Sequence, residues 1–357
     1  MAATRRSLPR PPAVARVLER ITGTIRAHEM IGAGQTVVAC VSGGPDSLCM
    51  LESLVRLRRL FRMRVEVFHF DHRLRPGSGD DAAYVQRAAE RLGVPCHLRA
   101  ADDAPGPGDS VEAWARVARL RAANELAKQV AAQPIAVGHT LDDQAETVLL
   151  NLIRGSGLEG LGGIEPGSAG GAGAHGRTVV HPLIEVRRAE VEAFCRALRL
   201  RPRRDPMNDD TRFLRAAIRH EVLPEIERAV GRDVKGPIVR TAENLRADRA
   251  ELDRQTVLAV RGIVEGERGR DVRFDVEPLL ELSPVLARRV VRTGVYDVLS
   301  SDEAAPWSRD AIEAVLDLAR GRPGRRRDLP NGSTAVRERG YVRVSFGSPS
   351  SGPSPRG

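Results

Sequence analysis

Residues 37–50 read VVACVSGGPDSLCM, and the handover inside this stretch decides the fold. The run 37–41 is short, apolar and rich in β-branched residues, as a buried strand is. From Ser47 the apolar spacing changes to Leu48, Leu51, Leu54, Val55 and Leu57, which is helical. Between the two runs lie two glycines, two serines, a proline and an aspartate. A glycine-rich turn from strand to helix exposes backbone N–H groups beside a helix N-terminus, where the dipole is positive and an anion can be held. Gly43 and Gly44 allow close backbone approach, Pro45 opens the helix, and Ser42 and Ser47 can donate to phosphate oxygens. Asp46 repels phosphate, so it either binds Mg2+ or orients the loop. No Lys-Ser/Thr pair closes the loop, so it is not a Walker A motif.

Working outward, residues 65–70 alternate as a strand, 81–92 form an Ala-rich helix and 94–99 a further strand. Residues 110–130 form a long helix capped by Asp109 or Ser110, followed by a strand at 135–137 and a helix at 142–154. Strand alternates with helix four times. The fold class is therefore α/β, a parallel doubly wound sheet with right-handed crossovers. Residues 155–178 are glycine-rich and read as a mobile loop. The G-x-G-x-x-G at 155–160 follows a helix rather than a strand, which rules out the dinucleotide reading. A strand-like TVVHPL, a helix over 188–198 and a basic loop over 201–215 come next. From Ile218 the chain reads as mostly helical and Arg-rich, and 322–346 return to short strands with a turn at Pro330-Asn331-Gly332. The expected division is a basic lead and first helix (1–30), a catalytic domain (31–210), a helical domain (211–270), a small α+β domain (271–346) and a disordered tail (347–357).

The chain has 357 residues, is 41% hydrophobic and carries a formal charge of +9. A basic surface suits a polyanion such as nucleic acid. The four cysteines, Cys40, Cys49, Cys96 and Cys195, form no C-x-x-C pair and read as reduced thiols of a cytoplasmic protein. No apolar run is long enough for a membrane span, and the basic N-terminus lacks the apolar segment of a secretory signal.

Three clusters fall near strand ends, where open α/β sheets bind ligands. In HTLDDQAET (139–147), Asp142, Asp143 and Glu146 crowd a helix start, where the dipole favours carboxylates. Asp142 or Asp143 is expected as the N-cap, leaving a carboxylate for Mg2+ or a substrate amine. His139 can contact phosphate or charge developing in a transition state. The segment Asp71-His72-Arg73-Leu74-Arg75-Pro76 faces nucleic acid or is a solvated turn. Glu112, Arg116 and Arg119 share one helix face, the alternative being an internal Glu112–Arg116 pair.

SGGPDS, read with FDHRLRP, SVEAWARVARL and GHTLDDQAETVLLNLIRGSGLEGL, resembles the N-type ATP pyrophosphatases, or PP-loop enzymes. Within them the chain is similar to the tRNA(Ile)-lysidine synthetase family. HPLIEVRRAEVEAFC, RDPMNDDTRFLRAAIRHEVLPEIE and LPNGSTAVRERGYVRV match in order, so the resemblance covers roughly residues 35–345. SGG-x-DS alone is shared by many AMP-forming enzymes; the DDQAET–RGSG–GL run is more specific.

The resemblance implies that ATP adenylates C2–O of the wobble cytidine in the CAU anticodon of an isoleucine tRNA. Free L-lysine then displaces AMP. It implies ATP and Mg2+ as cofactors, a cytoplasmic enzyme, no membrane partner, and leaves a homodimer open. It places Ser42, Gly43, Gly44, Pro45, Asp46 and Ser47 at the ATP phosphates, and Asp46 at the metal. His139 and Asp143 match adenylation-site positions, and Arg116 or Arg119 an active-site arginine. Asp143 is also a candidate base for the lysine amine. Asn208 and Arg219 fall in the segment leading to the tRNA-binding part. The chain departs at Leu214-Arg215-Ala216-Ala217-Ile218-Arg219, where the family often has Arg-Asn-Arg-Ile-Arg, and in a glycine-rich insert at 165–177. The rivals are a tRNA 2-thiolation enzyme on the same loop and a non-catalytic RNA-binding protein.

Overall fold

Helix α1 (Pro12–Ala27) is the first element of the computed structural model, which describes residues 11–74, 77–106, 111–169, 178–203, 211–267, 271–298 and 307–346. Val14, Val17, Leu18, Ile21 and Ile25 recur at helical spacing and are all buried. Then come β1 (Thr36–Cys40), α2 (Pro45–Leu57), β2 (Arg64–Asp71), α3 (Ser78–Leu92), β3 (Cys96–Ala100), α4 (Val111–Gln129), β4 (Ile135–Ala136) and α5 (Leu141–Ile153). After these follow α6 (Leu158–Leu161), β5 (Gly167–Ala169), β6 (Thr178–Val180) and α7 (Arg188–Ala197). The strands order as β3-β2-β1-β4-β6-β5. All pairings are parallel except β5 with β6, so the doubly wound sheet gains an antiparallel edge strand that the sequence pattern did not announce.

Alternate residues of each strand enter two cores. Val37, Ala39, Val65 and Val67 meet α1, α2, α3 and α7 on one face, whereas Val38, Cys40, Phe68 and Ile135 meet Ala123, Leu126 and Ala127 of α4 on the other. Helix α2 is buried along most of its length. Its Glu52, 3% exposed, is matched by Arg91 at 2.8 Å and Arg56 at 3.5 Å. The strand order reverses between β1 and β4, which opens a crevice at their carboxyl ends. That crevice is bordered by the loops that follow those two strands.

The loop expected to be mobile is, over 155–169, a built turn. Gln144 of α5 accepts from Ile164 N at 2.6 Å and donates to the carbonyls of Gly162 and Ile164, both at 3.3 Å. Asn151 donates to the Gly160 carbonyl at 2.7 Å. Two of the glycines are there for close packing: a Cβ on Gly160 would meet Ser156 at 2.5 Å, and one on Gly163 would meet Gln144 at 2.6 Å, whereas Gly155 and Gly157 have open space. The rest of the insert, 170–177, lies outside the described residues. So do the N-terminal lead to residue 10, Arg75, Pro76, the expected caps Asp109 and Ser110, Asn208 and the 347–357 tail.

Beyond α7, the helical stretch α8 (Leu214–Ala217), a π-helical turn (Ile218–Val222) and α9 (Leu223–Val230) run on without a break, and α10 (Lys235–Ile263) follows. The chain divides into two compact units, residues 1–245 and 246–357. The second unit holds β7 (Val264–Glu267), β8 (Asp271–Asp275), α11 (Val276–Glu281), α12 (Pro284–Val298), α13 (Arg309–Arg320), β9 (Arg326–Asp328), β10 (Thr334–Arg337) and β11 (Tyr341–Ser345). Its sheet is antiparallel, ordered β7-β8-β11-β10-β9, with Val272, Phe274, Val342 and Val344 facing Val290, Val291 and Val315. The β7–β8 pair falls where the sequence reads as helix. Asp271-Val272-Arg273-Phe274-Asp275 does alternate, with Val272 and Phe274 buried, but the run is short and follows directly on a long helical pattern. The turn at Pro330-Asn331-Gly332 has Asn331 and Gly332 at φ 58° and 67°, as a hairpin turn of primed type requires. Among the described residues no helix is long and apolar enough to cross a membrane.

Candidate active site

The crevice is a cavity of about 530 Å³ lined by the glycine-rich loop and by residues of all three expected clusters. Ser42, Gly44, Pro45, Asp46 and Ser47 line it from β1–α2, Arg116 and Arg119 from α4, and His139 and Asp143 from the segment after β4. Gly43 is not a lining residue. Its φ of 89° makes the sharp turn, and its carbonyl accepts from Arg203 N at 3.0 Å. The loop is internally braced by Ser47, whose Oγ accepts from Ser42 N at 3.2 Å and donates to the Gly44 carbonyl at 3.0 Å. Pro45 occupies the first helical position, where a missing N–H costs nothing. A Cβ on Gly138 would lie 3.2 Å from both the Asp46 carbonyl and Ser47 N, so glycine lets the next strand end pack onto the loop.

Asp46 is the strained member. Its Oδ1 is buried without a hydrogen-bond partner, and its Oδ2 is 4.0 Å from Arg188 Nη2. Burial, with Asp143 nearby, pushes its carboxyl up to about 7 despite Arg188 and Arg219. A desolvated carboxylate beside a phosphate-binding loop fits a divalent cation that also binds phosphate oxygens, the way Mg2+ is held by one or two carboxylates plus substrate.

The N-cap of α5 is Thr140, not Asp142 or Asp143. Thr140 Oγ1 accepts from Asp143 N, and Asp143 Oδ2 accepts from Thr140 N and Oγ1, both at 2.8 Å. This capping box fixes the carboxylate and turns Oδ1 toward Arg219 at 3.1 Å, Arg188 at 3.3 Å and Arg215 at 3.5 Å. Burial alone would raise the Asp143 carboxyl. The arginines, His139 and the Thr140 amide outweigh it and hold it well below the usual carboxylate range. Asp143 Oδ1 is thus shared among three guanidinium groups, which compete with a proton for it. Glu146, 1% exposed, takes Arg219 on both oxygens at 2.7 Å and Arg215 at 3.3 Å. Asp142 instead binds Arg188 N at 2.8 Å and Lys235 Nζ at 2.9 Å.

Arg188 and Arg215 were not singled out for this site by the sequence reading, and Arg219 only through the linking segment. One signal was available: Arg187 and Arg188 sit at the start of α7, where the helix dipole disfavours cations. Arg187 is tied to Asp233 by two hydrogen bonds of 2.8 and 2.9 Å. The π-helical turn, a feature frequent at functional sites, lies where Arg215 and Arg219 reach the same two carboxylates. Ala216 lines the cavity with a methyl group.

The cavity lining also includes the less polar Cys40, Phe68, Phe70, His72, Val111 and Ala115. His72 packs edge-on to Phe70 and Trp114 at ring distances of 4.9 and 6.1 Å. Burial, helped by Arg119, lowers it to about 4, and its Nδ1 has no partner. So 71–74 is not merely a solvated turn: Asp71 accepts from Arg73 N at 2.8 Å and Ser78 Oγ at 3.0 Å, and Arg73 and Leu74 line the cavity. The Glu112 side chain lies outside what is described. All four cysteines are free; burial pushes Cys40 up to about 11 and Cys195 up to about 12. Among the described residues no group of three or more His, Cys, Asp or Glu could hold a metal ion by itself.

The PP-loop domain family matches residues 16–226, and the TilS substrate binding domain family matches residues 274–343. The tRNA(Ile)-lysidine synthase of Symbiobacterium thermophilum is 37% identical over 348 residues, covering 94% of this chain and 70% of the relative. That of Cutibacterium acnes is 36% identical over 330 residues, covering 92% and 95%. Among solved structures, the U34-tRNA thiolase NcsA from Methanococcus maripaludis, with its [4Fe-4S] cluster, superposes with a TM-score of 0.54 at 20% identity. It covers 65% of this chain and 78% of that one, a likeness of fold. With the phosphate loop intact and both domains matched in order, the chain belongs to the PP-loop enzymes and, within them, to the tRNA(Ile)-lysidine synthase family.

Proposed function

We propose that this cavity joins free L-lysine to C2 of the wobble cytidine of a CAU-anticodon isoleucine tRNA in two steps. In the first, the cytidine O2 attacks the α-phosphorus of ATP and pyrophosphate leaves. In the second, the lysine ε-amine attacks C2, AMP leaves with the C–O electron pair, and the amine loses a proton. The observation that carries this reading is the pairing, in one cavity, of the Ser42–Ser47 loop with Asp143, Arg188, Arg215 and Arg219, the arginines being held from beneath by the buried Glu146. The loop suits a polyphosphate. A patch offering both carboxylates and guanidinium groups suits a zwitterionic amino acid, whose carboxylate and ammonium need opposite partners.

In this reading the less polar lining around Phe68, Phe70 and His72 receives a nucleobase, and Arg116 and Arg119 face charge building on the α-phosphate. Asp46 would hold Mg2+, which when bound offsets charge on the departing pyrophosphate. The Ser47 brace keeps the loop amides aimed at the phosphates, and His139 meets the reacting group as a neutral ring. A cytoplasmic location belongs to the same reading.

The test is incubation with ATP, Mg2+, labelled lysine and either this isoleucine tRNA or a methionine tRNA. Label entering only the isoleucine tRNA, with one AMP and one pyrophosphate per lysine, is the expected result. ATP cleavage with no lysine incorporated would refute it. Thiolation on the same fold relies on reactive cysteines; here Cys40 reaches the cavity, yet burial keeps it protonated. Replacing all four cysteines by alanine is therefore expected to leave lysine incorporation within about fivefold of the parent, since no thiolate takes part. A loss beyond a hundredfold in a variant that stays folded would return the thiol reading.

A further inference from the structure

His181 follows β6 and is 5% exposed, yet no step above uses it. Its ring stacks on that of His139, centroids 4.8 Å apart and planes 26° from parallel. Three hydrogen bonds pin it. Nδ1 lies 2.9 Å from the Glu165 carbonyl, which can only accept, so Nδ1 carries the hydrogen. Its backbone N–H donates to Pro166 O at 2.9 Å, and its carbonyl accepts from Ile184 N at 3.0 Å. The 162–166 strap is in turn held by Gln144 of α5. His181 is therefore fixed to the scaffold.

His139 is not. Its Nδ1 is buried without a partner. The second side-chain torsion of histidine is broad and roughly two-fold, so a ring lacking hydrogen bonds is oriented by what packs on it. Here that is the His181 face. Burial first, then neighbouring Arg116, keeps His181 at about 4, and burial with His181, Arg215 and Arg119 keeps His139 lower than usual. Two uncharged rings can share a face that two imidazolium ions could not.

We propose that His181 is a positioning residue for the adenylation step, acting through the ring stack that sets the orientation of His139 at the cavity wall. The proposal rests on the function given above. Its first test is a double-mutant cycle on pyrophosphate release. His181→Ala lowers kcat by at least about tenfold, as expected when an aligned catalytic group is misplaced. KM for ATP and for lysine stays within about threefold, because ground-state binding is made elsewhere. His181→Phe, which keeps a flat ring, recovers most of the loss. In a His139→Ala background, His181→Ala costs nothing further, the non-additivity of groups acting as a unit. Additive losses, or a Phe variant as poor as Ala, would overturn the proposal.

A second readout needs no substrate. With labelled histidine, the His139 ring resonances are expected to carry a ring-current shift that His181→Ala removes and His181→Phe retains. If the parent protein fails to incorporate lysine while this shift behaves as stated, the function is wrong and the stack stands. If lysine is incorporated but the cycle is additive, the stack has no part in positioning.

Discussion

Asp46→Asn lowers pyrophosphate release by roughly a hundred- to a thousandfold, the scale of removing one charge-stabilising group from an active site. The same variant is as stable as the parent or more so. Both expectations follow from one carboxylate. Asp46 sits on the first turn of α2 with Oδ1 buried and unpartnered, and burial pushes its carboxyl up to about 7. Holding a desolvated carboxylate in its ionised form costs the folded state stability. Asparagine has nearly the same shape and carries no charge to desolvate, so the folded protein loses a liability. Affinity for tRNA stays within about threefold, because cationic side chains on the phosphodiester backbone supply most of it. Pyrophosphate release, thermal melting and tRNA binding measured together decide the matter. Turnover within about fivefold of the parent would remove Asp46 from the chemistry, and a clear fall in melting temperature would make it a structural residue.

The phosphate loop was legible because strand, turn and helix are contiguous in the sequence, and each leaves its own local pattern. The same holds for α5, where the acids and Thr140 lie within four residues, although reading the acids as caps missed the hydroxyl that does the capping. The charge cluster could not be assembled that way. Arg188 comes from α7 and Arg215 and Arg219 from the 214–222 helix, 42 to 76 residues from Asp143 and Glu146. Only the sheet order brings these segments together. His181 was hidden for a related reason: a histidine after a short strand has no periodic signature, and its partner is 42 residues away. The glycines of 155–163 misled in the opposite sense. Glycine marks flexibility only when nothing packs on it, and on Gly160 and Gly163 Ser156, Asn151 and Gln144 do.

Glu146→Ala is expected to destabilise the first unit by about 3 kcal/mol, the cost of breaking a buried ion pair from one side. Glu146 is 1% exposed and its two oxygens occupy Arg219 and Arg215, with Arg188 at 3.6 Å. The arginines are 22–24% exposed and can recover some hydration, which keeps the loss from being larger. For a unit of this size that corresponds to a fall of roughly 6–12 °C in melting temperature. Glu146→Gln should lose less, because the amide oxygen still accepts one guanidinium N–H. Activity separates the site from the scaffold. Below the melting transition, both variants should show a KM for lysine raised at least about tenfold while KM for ATP changes little, since the cluster and the phosphate loop bind different substrates. The alanine variant carries the added mark of unbalanced charge: three guanidinium groups would then share one carboxylate fewer. Adding Arg219→Met to Glu146→Ala should therefore restore much of the stability, because it removes the guanidinium that made both short bonds to Glu146, while Arg188 and Arg215 keep Asp143. Lysine binding should stay impaired. Full recovery of both would mean that the pair does no more than hold α5 to the 214–222 helix.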